Sequence, residues 1–540
     1  MMDVSSIFGN VFSRSVAPSR PFLRGALAAL VVAGALAAVG CNPGAAPEVA
    51  SPENDRDRPN VVMIVTDDQG YADYSAFDHH APDVDTPNMD RIAEEGMLFT
   101  QAYATAPVCS PSRAGLMTGR YQFRWDEGAG WNPGLPDSVK TLAERLSQAG
   151  YATARFGKSD YGDGYHRFAA REYPLNHGYE RFLGFSAHAQ DYGLLSEEIA
   201  ERTPDPDGNS ANLGPLMQGE SNRKSYEDGY TTDIFTDAAI DYVERRAGKE
   251  RPFFLTLSYN AVHHLVHEVP PSYLEAYDVE PIPPYDPARG ESFEGEEAGS
   301  YKAYYEKYSR LGAITSEQMR QYYLANLSYL DDSIGRFLDA LRAKGLAENT
   351  LLVFVSDHGG SPVAGASNAP LTAGKYSLYE GGIRVPFAMR WPAGGLEGGA
   401  VHERPVSTLD VAPTALAAAG ARAPSEEAFE EAFDGVNLLP RLRGDAPAAG
   451  EKPRTLFWRW QGTFAVRQGD WKLTNVGEPQ YKSRPSDYYI EPKYDTQKVR
   501  LFNLGEDSEE AVNVAGEHPQ VARRLMNRYE EWMRVEAGRY

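Results

Sequence analysis

The sequence predicts an α/β fold, a mostly parallel sheet flanked by helices, followed by a smaller α+β domain at the C-terminal end. Three observations carry that expectation. Short continuous apolar runs such as residues 60–66 (NVVMIVT) are rich in β-branched residues, as strands covered on both faces require. These runs alternate with amphipathic helical segments, the pattern of a parallel sheet with crossovers. Beyond residue 453 the pattern changes to short strands separated by turns.

The elements follow in order. Arg14, Arg20 and Arg24 precede an uncharged apolar run, residues 25–40, that ends in small residues. That is the form of an export signal, and the run is shorter than a membrane span. The end of the run, AAVGC, resembles a bacterial lipobox, although Ala38 stands where Leu is commoner. The resemblance implies lipidation of Cys41, a bacterial envelope location, and membrane contact only through that anchor. Residues 41–58, rich in Pro, Ala and charge, are then a flexible tether.

The next domain spans residues 59–423. Its expected strands are 60–68, 151–157, 252–260 and 350–360. Residues 137–150 read as an amphipathic helix closed by Gly150. Residues 315–344 read as a long helix. Thr315 and Gln318 suit a capping box, and Leu324, Leu327, Leu330, Ile334, Phe337, Leu338 and Leu341 form an apolar stripe. Residues 278–300 read as a long polar loop, and 424–453, rich in Ala, Glu, Gly and Pro, as a linker. In the last domain, 454–540, strands are expected at 455–460, 463–476 and 499–504, with a helix from Pro519.

Charge excludes one class of partner. The chain has 53 Lys and Arg against 76 Asp and Glu, a net charge of −23. Nucleic acid, which needs a basic surface, is therefore not expected as a partner. Any anionic substrate would need local positive charge. There are 2 cysteines. With Cys41 carrying a lipid, Cys109 has no intramolecular partner in an oxidising compartment, which calls for a chemical explanation.

Two expected strands end in acids, one in Asp67 and Asp68, the other in Asp357 beside His358. Ligands of open α/β sheets bind beyond such strand ends. Three carboxylates gathered there would repel unless a cation sat among them, and hard oxygen donors favour Ca²⁺ or Mg²⁺. The alternative is that these acids cap turns. A thiolate is a soft ligand, so either Cys109 is away from such a metal or it is no longer a thiol. Spacing does not choose between these. Arg113 lies four residues after Cys109, on the same face of a helix beginning near 112, where a tetrahedral anion would bind.

Residues 109–120, CSPSRAGLMTGR, resemble the signature of the type I sulfatases, through Cys109, Pro111, Ser112, Arg113, Thr118, Gly119 and Arg120. Residues 65–73 (VTDDQGYAD), 354–360 (FVSDHGG), 375–386 (KYSLYEGGIRVP) and 501–519 are similar to other segments of that family, in the same order. The resemblance implies an alkaline phosphatase-like fold and hydrolysis of sulfate esters, on a sulfated saccharide given the envelope location. It also implies a maturation enzyme that converts Cys109 to Cα-formylglycine. The resemblance further implies that one hydroxyl of the formylglycine hydrate attacks sulfur as the alcohol departs, and that the other then expels sulfate and regenerates the aldehyde. Asp67, Asp68, Asp357 and His358 match the family's Ca²⁺ ligands, with Cys109 meeting the metal as an oxygen species. His358 stands where Asn is commoner. Arg113, Lys158 and Lys375 match residues at the nucleophile and sulfate. His263, or after a one-residue shift His264, matches the histidine serving the leaving group. Asp160 stands where the family has His, a role that His166 could take from the next loop, and His188 lies where substrate is often contacted. Two other readings remain. One is a phosphonate or phosphodiester hydrolase of the same superfamily. The other is a non-catalytic glycan-binding lipoprotein.

Overall fold

Burial on both faces accounts for the apolar runs. The computed structural model describes residues 58–126, 130–162, 169–187, 192, 216–219, 221–222, 229–283, 285, 301–308, 314–421, 432–444, 453–477 and 499–535. Strands β1 (Asn60–Thr66), β2 (Ala152–Lys158), β3 (Phe253–Ser258) and β4 (Thr350–Ser356) form the centre of a ten-stranded sheet. β1 pairs in parallel with β3 and β4, and β2 in parallel with β3. Strands Phe387–Arg390, Met217–Gln218 and Ser221–Asn222 pair antiparallel, so the sheet is mixed but mostly parallel at its centre. Val62 and Ile64 enter the core on one face, while Val61, Met63 and Val65 enter the core on the other. A strand with two buried faces loses the polar alternation of a half-exposed one.

The long helix runs Ser316–Ala343, with Thr315 and Gln318 in a reciprocal capping box. Two helix starts differ from expectation. The segment expected to be helical over 137–150 is helical only over Leu142–Gln148. Thr141 is extended there, and its side chain accepts from the Glu144 N–H, so the cap sets the start. Conversely, helix α1 (Cys109–Thr118) begins at Cys109 itself, on an extended Val108, and ends at left-handed Gly119. Cys109 therefore occupies the first helical position, with every residue of α1 buried.

The C-terminal sheet has four antiparallel strands, Thr455–Trp460, Thr463–Gln468, Trp471–Thr474 and Arg500–Asn503, in chain order. The helix Pro519–Val535 covers one face. The other shares a core with Tyr103, Val108, Leu378, Tyr379 and Ile383, and the Trp458 indole N–H donates to the Ala104 carbonyl at 2.7 Å. This sheet thus braces the chain entering α1. The described part of the stretch expected to be a linker, 432–444, packs Leu438, Leu439 and Leu442 into the main core. No helix among the described residues is long and apolar enough to cross a membrane. Residues 1–57, including Cys41 and nearly all of the tether, lie outside the described residues, as do His166, His188 and most of the 278–300 loop.

Gly157 fixes where β2 delivers Lys158. Its φ is +103°, and a Cβ there would sit 1.9 Å from the Ser258 carbonyl oxygen. Gly157→Ala is therefore expected to lower stability by roughly 3 kcal/mol, measured by thermal unfolding. An unchanged melting temperature would contradict that close approach.

Candidate active site

Parallel pairing of β1 with β4, in register through Thr66 and Ser356, places their carboxyl ends side by side. Asp67 and Asp68 leave one strand, Asp357 and His358 the other. Asp68 is left-handed, φ 61°, a conformation Asp tolerates better than most residues, and its N–H lies 3.3 Å from Asp357 Oδ1. The N-terminus of α1 points at the same spot. The donor atoms of Asp67, Cys109, Asp357 and His358 all lie within 4.8 Å of one another, and all four residues are buried. Cys109 Sγ is 3.6 Å from Asp67 Oδ1 and 3.2 Å from His358 Nε2. The sulfur thus sits within the acidic cluster.

Three buried cations surround these acids. Arg113 Nε donates to Asp357 Oδ2 at 2.9 Å, and its Nη1 to Ser258 Oγ at 2.7 Å. Its Nη2 is buried without a hydrogen-bond partner among the described residues, 3.7 Å from Asp67 Oδ1. Lys158 Nζ donates to Asp67 Oδ2 at 2.6 Å, and Lys375 Nζ to both oxygens of Asp68 at 2.7 and 2.8 Å. Asp68, His263 and His264 form a second close group, with His263 Nε2 3.8 Å from Asp68 Oδ2. His263 is buried and His264 only partly so. Asp160 is also buried, 3.6 Å from Lys158 Nζ and hydrogen-bonded by Ser110 Oγ.

Burial and charge set the protonation states. Burial, with further repulsion from Asp357, pushes the Asp67 carboxyl up to about 7 even though Lys158 opposes it. Burial also opposes ionisation of Asp357, but His358, Arg113 and Lys158 outweigh it and hold that carboxyl below the usual range. Burial pushes the Cys109 thiol well up, so it is neutral. Burial, reinforced by Lys375 and Lys158, pushes His263 well down. Lys158 and Lys375 stay charged, because Asp67 and Asp68 respectively overcome their desolvation.

Three supporting residues escape a reading of the sequence. Ser258, which holds Arg113, is the one polar end of an apolar strand. Arg155, a charged residue in the middle of β2, is buried with its Nε on the Lys158 carbonyl at 3.1 Å and its Nη1 on Tyr161 Oη at 2.7 Å. Both signals are visible in the sequence once one asks why a strand would bury them. Tyr192 carries no such signal. Its hydroxyl donates to the carbonyls of Asn260 at 2.9 Å and His263 at 2.7 Å, fixing the turn that presents His263.

Comparison with known proteins gives this arrangement its family. The Sulfatase family model matches residues 59–421. The chain is 31% identical over 451 residues to human N-acetylgalactosamine-6-sulfatase, covering 76% of this chain and 74% of that protein. It is 31% identical over 499 residues to bovine arylsulfatase A, covering 86% and 85%. It also resembles the crystal structure of Ps i-CgsB in complex with k-i-k-neocarrahexaose, with a TM-score of 0.67 at 27% identity over 88% of this chain and 92% of that one. The chain belongs to the sulfatase family and is a sulfuric ester hydrolase.

Proposed function

We propose that the chain releases sulfate from a sulfated carbohydrate, using an oxygen nucleophile derived from Cys109 beside a divalent cation. The observation that carries this reading is the convergence of Cys109, three carboxylates and three cations in one buried cluster. Asp67, Asp68, Asp357 and His358 would hold Ca²⁺ or Mg²⁺. The donor set fits, because buried carboxylates offer hard oxygens and a divalent charge would favour the ionised form that burial, with repulsion from Asp357, disfavours at Asp67. Such an ion would supply charge stabilisation for the sulfuryl oxygens. Cα-formylglycine, made from Cys109 by a formylglycine-generating enzyme, would supply the oxygen nucleophile. A buried neutral thiol is a weak nucleophile and sulfur a poor partner for a hard cation.

The remaining roles belong to the chain's own residues. The unpartnered Nη2 of Arg113 offers a preorganised donor to a sulfate oxygen, which removes the cost of leaving it buried and unpaired. Lys158 and Lys375 add the positive charge that the acidic surface lacks. His263, neutral in the unliganded site, would exchange a proton with the leaving alcohol, a role that the negative charge of a bound sulfate group favours. Asp160, through Ser110 and Lys158, positions the residues flanking the nucleophile. A carbohydrate substrate is supported by relatives named for N-acetylgalactosamine 6-sulfate and solved with k-i-k-neocarrahexaose. We assign residues 1–40 as the export signal, Cys41 as the lipid anchor in a bacterial envelope, 59–423 as the catalytic domain and 454–540 as its C-terminal partner.

Matured protein is expected to release sulfate from N-acetylgalactosamine 6-sulfate or k-i-k-neocarrahexaose, and to hydrolyse 4-nitrophenyl sulfate faster than 4-nitrophenyl phosphate. Faster phosphate ester cleavage with no sulfate release would overturn the reading. Exhaustive chelation is expected to lower turnover by about two orders of magnitude, with recovery on adding Ca²⁺. Full activity in metal-free protein would remove the cation from the account.

A further inference from the structure

Beside Lys375 lie two half-buried aromatic rings that the chemistry above does not use. The Lys375 ammonium is 5.5 Å from the centroid of the Tyr376 ring. Trp131 follows, its ring 5.4 Å from that of Tyr376. Behind Trp131, the buried Trp460 of the C-terminal sheet packs edge-on at 5.1 Å. Trp131 and Tyr376 both border the apolar cluster shared by the two domains, without being submerged in it.

The backbone at Tyr376 is unusual. Its φ is +73°, a region where a bulky side chain is an outlier and is held only when its surroundings insist. The Tyr376 N–H donates to the Pro107 carbonyl at 2.9 Å, two residues before Cys109. The same turn therefore fixes three things: the Lys375 ammonium on Asp68, the approach to Cys109, and the ring of Tyr376. A core-packing role alone would not require this conformation, because a ring can reach a core from ordinary backbone.

A pyranose ring has apolar C–H faces and polar edges. An aromatic face, with its negative quadrupole, suits those weakly positive C–H groups, and binding sites use a few such apolar surfaces beside fixed polar groups. A rigidly backed pair next to an anion-binding lysine matches a ligand with an apolar face beside an anionic substituent. We propose that Trp131 and Tyr376 form the subsite for the sugar ring next to the scissile sulfate. This rests on the carbohydrate reading above and names the residues that select for it.

The test separates sugar binding from sulfate binding. The probes are N-acetylgalactosamine 6-sulfate and k-i-k-neocarrahexaose as substrates, and inorganic sulfate as a competitive inhibitor. In Trp131→Ala and in Tyr376→Gly, which also relieves the backbone, KM for the saccharide that wild type turns over is expected to rise about tenfold. Trp131→Phe should stay within about threefold of wild type. Inhibition by inorganic sulfate should be unchanged in all three, because Arg113, Lys158 and Lys375 remain in place. An unchanged saccharide KM would overturn the proposal. So would a parallel loss of sulfate inhibition, since the rings would then only shape the wall of the anion site. If wild type hydrolyses 4-nitrophenyl sulfate but neither saccharide, the carbohydrate reading falls and the subsite with it.

Discussion

Cys109→Ala is expected to lower sulfate ester turnover by about 10⁴-fold or more, the scale seen when a covalent nucleophile is removed. The substitution deletes one buried atom at the first position of α1, and the helix cap at Val108 is a backbone feature. The fold should therefore survive, with a stability cost of about 1 kcal/mol. Binding should survive too, because the cations that meet the anion are supplied by Arg113, Lys158 and Lys375. The expected result is a folded protein that binds inorganic sulfate and does not turn over substrate. A folded variant with near wild-type turnover would place the nucleophile elsewhere. A non-catalytic glycan-binding role would show as wild type and variant equally inactive.

Lys472→Met is expected to destabilise the protein by about 3–5 kcal/mol, the effect of removing one member of a buried ion cluster. Lys472 Nζ lies 2.9 Å from Glu380 Oε1 and 2.9 Å from Glu510 Oε1, and all three residues are buried. Glu380 also accepts from Tyr103 Oη at 2.5 Å, and its own N–H donates to Glu510 Oε2 at 2.5 Å. The variant leaves two carboxylates facing each other without their shared cation. The cluster ties the C-terminal sheet to the segment carrying Lys375, so activity should fall with stability. Burial, with Glu380 adding repulsion against Lys472, pushes Glu510 up to about 7. Burial also disfavours the charge on Glu380, but Lys472 and Arg467 outweigh it and bring that carboxyl down to about 2. The raised Glu510 adds stability below its ordinary value of 4.5 and loses it as pH rises through about 7. The depressed Glu380 adds stability above 4.5 and loses it only towards about 2. Thermal unfolding across neutral pH should thus show stability falling with pH, and Glu510→Gln should flatten that slope. An identical slope in the variant would contradict this assignment.

What the sequence disclosed depended on distance along the chain. The four central strands were legible because burial on both faces writes itself as continuous apolar runs. The clustering of Asp67, Asp68 and Asp357 was legible because the acids close two such runs. Arg113 was legible because it lies one helical turn from Cys109. The Glu380–Lys472–Glu510 cluster was not, since its members are 92 and 130 residues apart and each reads as an ordinary surface charge. Tyr192 was hidden for the same reason, because its two carbonyl partners lie 68 and 71 residues away. The early start of α1 was hidden because Cys-Ser-Pro-Ser reads as a loop, whereas Pro is well placed in a first helical turn.

Sulfate release turns on the chemical state of one residue, Cys109. Trypsin should release residues 92–113 as one peptide that includes Cys109. Its mass should be measured on active enzyme from the native host, or from cells that also make a formylglycine-generating enzyme. The expected peptide carries an aldehyde in place of the CH₂–SH group, with activity proportional to the converted fraction. An intact thiol throughout a preparation that releases sulfate at full rate would contradict it.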